Sequence, residues 1–69
     1  MVGTEQIYVE LLDEGVQVWA PVNARKLADD VFQLPEVSPP DQIWAFAPGT
    51  FVRCESTSTG LVAVEAVEL

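Results

Sequence analysis

Apolar and polar residues alternate along most of this chain, and the alternation is broken every four to nine residues by glycine, proline or acidic turns. Period two is the signature of half-buried strands, and short spacing between turn signals confines the chain to a barrel or compact sandwich. Ile7, Val9 and Leu11 alternate with Gln6, Tyr8, Glu10 and Leu12, which predicts a strand with one apolar face. Asp13-Glu14-Gly15 then predicts a three-residue hairpin turn, with Gly15 in the left-handed conformation that closes it. Val16, Val18, Ala20 and Val22 form the next inward row, so the first two strands are expected to make an antiparallel hairpin. Pro21 lies inside that second strand and cannot donate a ladder bond, which marks an edge, a bulge or a bend.

Residues 23–28 have some helical propensity but too little length to hold a helix, and a continuing strand ending at Asp29-Asp30 is favoured. Val31–Leu34 is a short strand stopped by Pro35. Three prolines in residues 35–42 stiffen the connection that follows. Ile43–Ala47 is predicted as a strand, Pro48-Gly49 as a turn, and Phe51–Glu55 as the strand that pairs back against it. Ser56–Gly60 is a polar hairpin loop, and Leu61–Val67 closes the sheet. The expectation is one all-β domain over residues 1–69, a small barrel or strongly bent antiparallel sheet of five to six strands.

At 69 residues the chain is near the lower size for a core without staples, where net stability is about 3–5 kcal/mol. A hydrophobic content of 49% is too high for a disordered acidic tail. No run of about 18 apolar residues marks a membrane span. The opening Met1-Val2-Gly3-Thr4-Glu5 carries neither a basic nor an apolar leader segment, and one cysteine suits a reducing interior. The expected compartment is the cytoplasm.

Eleven acidic residues face three basic ones, giving −8, and histidine is absent. A surface of that charge repels a polyanion, and Arg25, Lys26 and Arg53 cannot supply a phosphate-tracking stripe, so no nucleic-acid partner is expected. The charge has two readings: solubility, which the scattered placement of the acids favours, or an acidic surface that masks a basic one, as an inhibitor or immunity-type protein would. Without histidine the commonest general base and metal ligand near neutral pH is missing. One cysteine excludes the structural zinc patterns, and Asp13-Glu14 and Asp29-Asp30 lack the spacing of a calcium loop. Cys54 shares parity with Val52 and is expected to be a buried, inert thiol. The hydroxyls of Ser56–Thr59 have no histidine to activate them. No catalytic residue, cofactor or metal is therefore expected; an enzyme working through paired carboxylates is the weakest alternative.

Two tryptophans remain. Trp44 and Phe46 are expected in the core beneath the proline loop. Trp19 has the opposite parity to Val18 and Ala20, which places it outside, beside Tyr8 of the same hairpin. The pair is either an exposed aromatic patch that contacts a protein partner or a second small core under the proline loop. Both alternation faces of the first and last strands carry apolar groups, so a homodimer or another protein is expected to cover one of them.

Residues Gly15–Ala24, with Leu27 and Asp30–Leu34, resemble the opening of an SH3-like barrel, where a long bent strand is followed by a turn and a strand carrying an aromatic. With Trp44, Phe46, Pro48-Gly49, Val52 and Cys54, the pattern is similar to small uncharacterised bacterial single-domain proteins of that fold. The resemblance implies a barrel. It departs from signalling SH3 domains and methyl-lysine readers, having one tyrosine and no aromatic cage, so neither proline-peptide nor histone-tail recognition is carried over. Short barrels bind along loops and edges, and with no catalytic chemistry in the chain the expectation is a non-enzymatic protein-binding or accessory module that uses the Trp19/Tyr8 face or a free sheet edge.

Overall fold

The computed structural model describes residues 3–68, so Met1 and Val2, part of the segment read for a leader, and Leu69 lie outside it. Five strands, β1 (Thr4–Leu11), β2 (Val18–Lys26), β3 (Val31–Gln33), β4 (Phe51–Ser56) and β5 (Leu61–Ala66), form a closed barrel in the order β1-β2-β3-β4-β5. The fold is all-β: the described residues contain no helix.

Alternation sets the interior. Ile7 and Val9 of β1, Ala20, Val22 and Ala24 of β2, Phe32 of β3, Val52 and Cys54 of β4, and Ala63 of β5 are all buried. Leu34 and Trp44 complete the core, and no buried side chain among the described residues is polar or charged apart from the Cys54 thiol. Phe32, the largest fully buried side chain, shares its core cluster with the small residues Ala24 and Ala63. The barrel interior of the described residues is thus occupied by side chains, as in other small barrels.

The β1–β2 pairing runs unbroken from Thr4↔Arg25 to Leu11↔Val18. Pro21 stands opposite Tyr8. β3 meets β2 only at Arg25 and Lys26, so the flank of β2 around Pro21 has no strand beside it and a missing N–H there is tolerated. β5 bulges against β4 between Arg53 and Cys54, which leaves Val64 exposed. Closure comes from a single parallel register pair, Tyr8↔Val62.

Four local expectations are corrected. The β1–β2 loop spans residues 12–17, longer than a three-residue turn, and Asp13 (φ 61°), not Gly15, takes the left-handed conformation. Asp tolerates that region better than most residues do. Val16 therefore falls in the loop and is 76% exposed, outside the inward row assigned to it. β2 ends at Lys26 and residues 27–30 form the turn, in which the Leu27 and Ala28 amides donate to the Val31 carbonyl.

The fourth correction concerns residues 43–47, which do not form a strand paired with β4. The Leu12 amide donates to the Ile43 carbonyl at 2.7 Å, and the Ala45 amide donates to the Glu10 carbonyl at 2.8 Å. One bridge, Leu11↔Trp44, results. The segment covers the end of β1 beyond the point where β5 pairs with it. Trp44 is buried as expected and donates to the Gln42 side chain at 3.1 Å; Phe46 packs against the core half-buried. Gly49 (φ 82°) makes the expected turn, with the Thr50 amide donating to the Ala47 carbonyl.

Candidate functional site

The outward parity of β1 and β2 places Tyr8 and Trp19 on one external face. Glu10 is directly opposite Trp19 in the register, and Tyr8, two residues earlier, is diagonal to it. Because β5 pairs with β1 at Tyr8, the outward side chain of Val62 stands on the other side of the Tyr8 ring. Tyr8, Trp19, Val62 and the loop residues Thr57, Ser58 and Thr59 line an external groove of about 270 Å³ with an almost wholly apolar lining. The expected juxtaposition of Tyr8 and Trp19 is present. Val62 and the threonine loop belong to the same groove, and sequence reading did not include them because they arrive through the non-local β1–β5 pairing.

Two local devices shape the walls. The Thr57 hydroxyl donates to the Gly60 carbonyl at 2.9 Å and accepts from the Thr59 and Gly60 amides, which ties the β4–β5 turn into one conformation. Gly60 has φ 138°, a region closed to residues with a Cβ, and a Cβ there would lie 3.2 Å from Tyr8 Cε2. The tyrosine ring therefore rests on the bare glycine. Its hydroxyl accepts from the Gln6 side chain at 3.2 Å. Trp19 is 41% exposed, and residues 35–42 do not line the groove, so the covered mini-core is not what forms here.

Charge is arranged around the groove unevenly. Glu10 is half-buried, and its carboxylate accepts from Gln17 at 3.3 Å. Glu55 stands across from Val62 and forms an ion pair with Arg53, which also pairs with Glu65. These two carboxylates hold the Arg53 guanidinium above its ordinary range through hydrogen bonds, Glu65 first. Lys26 pairs with Glu5 at 3.3 Å. The acids among the described residues are spread along the chain, over both hairpins, the β2–β3 turn, the long loop and the C-terminal end.

Chemistry elsewhere is sparse. The Cys54 thiol is buried, and that burial, aided by the Asp30 charge, pushes its pKa up to about 11. It is protonated near neutral pH and is a poor nucleophile. No group of three or more potential ligands among the described residues is placed to hold a metal ion. Among the described residues no helix is long and apolar enough to cross a membrane. The chain matches no known family model, curated protein or solved structure. Its site has to be read from its own chemistry.

Proposed function

We propose that this protein is a non-enzymatic binding module that docks a partner protein in the groove between Tyr8, Trp19 and Val62. The observation that carries the reading is an apolar, aromatic-walled groove on the outside of a barrel whose apolar demand is already met inside. Tyrosine and tryptophan carry large contact area at low entropic cost and anchor protein interfaces disproportionately. A volume of about 270 Å³ is at the small end for a small-molecule site but suits one or two inserted side chains. The filled interior and the protonated Cys54 favour binding over catalysis. The free cysteine is in keeping with a reducing, cytoplasmic setting. The five-stranded closed barrel supports the SH3-like reading of the sequence. The scatter of the acids along the sequence, with no long run, favours a solubilising role for the charge over wholesale masking of a basic surface, and repulsion of polyanions argues against a nucleic-acid ligand.

The test is capture of partners from the native host by wild type and by Trp19→Ala, with the mass of each bait measured by light scattering. The expected result is at least one protein, or a second copy of the chain, retained by wild type and lost by Trp19→Ala. A hot-spot anchor is worth about 2 kcal/mol or more. Equal recovery of every partner by both baits, together with a monomeric mass, contradicts the proposal.

A further inference from the structure

The partner's chemistry can be read from what stands beside each wall of the groove. We infer that the groove takes a basic peptide segment, with an arginine stacked on Trp19 against Glu10 and a neighbouring apolar residue seated between Tyr8 and Val62. This rests on the proposed docking role and specifies the ligand. Trp19 has Glu10 as its direct cross-strand neighbour, and Val62 has Glu55. Directly opposed side chains on one sheet face lie about 5 Å apart at Cβ, within reach of a single bound side chain. The Glu10 carboxylate has no cationic partner among the described residues; its one side-chain contact is the neutral amide of Gln17. Glu55 shares Arg53 with Glu65, so that cluster retains an excess negative charge.

Cations of this chain that could compete are remote or engaged. Arg25 lies six residues along β2 from Trp19, about 20 Å at strand rise, and Lys26 is paired with Glu5. A guanidinium fits the remaining geometry because it stacks flat on an indole and donates from its edge to a carboxylate at the same time. The charge of −8 attracts such a segment from a distance and makes the interaction salt-dependent. An acidic segment would meet repulsion at Glu10 and Glu55, which border the groove, and a purely apolar one would leave the Glu10 charge with only the neutral Gln17 amide.

The experiment uses a phage-displayed library of random dodecapeptides panned on wild type and on Trp19→Ala, followed by affinity measurement of the selected peptides. Wild type is expected to enrich peptides with arginine next to an apolar residue, and these should bind Trp19→Ala at least about tenfold more weakly. Glu10→Gln should weaken them about threefold and flatten the salt dependence, as loss of one exposed charge pair does, with its melting curve unchanged. Selected peptides that depend on Trp19 yet are neutral or acidic, or are indifferent to Glu10→Gln, overturn the assignment of a basic ligand and leave the groove as a docking site. Selection of the same peptides by wild type and Trp19→Ala, or of none by wild type, overturns both.

Discussion

Replacing Gly60 with alanine tests the way the groove is built. Gly60 has φ 138°, and an added Cβ would meet Tyr8 Cε2 at 3.2 Å. Backbone strain in that region costs a residue with a side chain about 1–3 kcal/mol. The contact itself is with the edge of a ring at the surface, so Tyr8 is expected to tilt and not to push the backbone apart. A total near 2 kcal/mol is about half of the 3–5 kcal/mol a domain of this size commands, and corresponds to a fall in Tm of about 8–16 °C. The assay is thermal and urea unfolding followed by far-UV circular dichroism, with Gly15→Ala as the matched control. A Cβ at Gly15 meets nothing within 4 Å and its φ is not positive, so that variant should match wild type or gain about 0.4–1 kcal/mol. Proton spectra of Gly60→Ala should show the Tyr8 ring signals displaced while those of Phe32 stay. Equal stability of the two alanine variants, with unmoved Tyr8 signals, would refute the reasoning.

Three further outcomes are expected. Phe32→Ala empties the largest fully buried site, and a loss of about 3–5 kcal/mol should leave the chain unfolded by circular dichroism at 25 °C; a cooperative melt close to wild type would contradict the packing. Asp13→Gly relieves a left-handed non-glycine residue (φ 61°) and should leave stability unchanged or raise it by up to about 1 kcal/mol in urea melts; a loss would contradict it. For Cys54 the folded pKa is raised from 9.0 to about 11, so the native state holds its proton more tightly than the unfolded chain. Its contribution is fully present below pH 9 and is lost as the pH rises to 11, on the order of 2 kcal/mol. The alkaline fall in stability should be shallower in Cys54→Ala, and parallel pH profiles for the two proteins would count against a buried thiol.

What the sequence made legible was whatever depends on neighbours in the chain. The period-two rows of Ile7 and Val9, and of Ala20 and Val22, determine both the β1–β2 hairpin and the outward parity of Tyr8 and Trp19. Gly49 in a left-handed turn after Pro48 follows in the same way. Residues 43–47 show the limit: their alternation is real, and Trp44 is buried, but alternation does not say which edge a segment meets. The open edge lay at the end of β1, where only two hydrogen bonds were available, so a bridge formed and not a strand. The hairpin turn was misplaced because Asp13 takes a backbone region usually left to glycine, which moved Val16 out of the inward row. Four of the six groove residues were invisible for a topological reason: Val62, with the Thr57–Thr59 loop before it, reaches Tyr8 only through a parallel pairing 54 residues apart in sequence.

The central claim, that partners are held in the groove, is tested most directly by placing a photo-cross-linking residue at Thr59 on its lip, and separately at the exposed Glu36 of the long loop, which packs beside Gly49 at the opposite end of β4, in cells of the native host. The account predicts a discrete protein adduct from position 59 that disappears when Trp19→Ala is combined with it, and no such adduct from position 36. An adduct at position 59 that survives Trp19→Ala, or the same products from both positions, would contradict it.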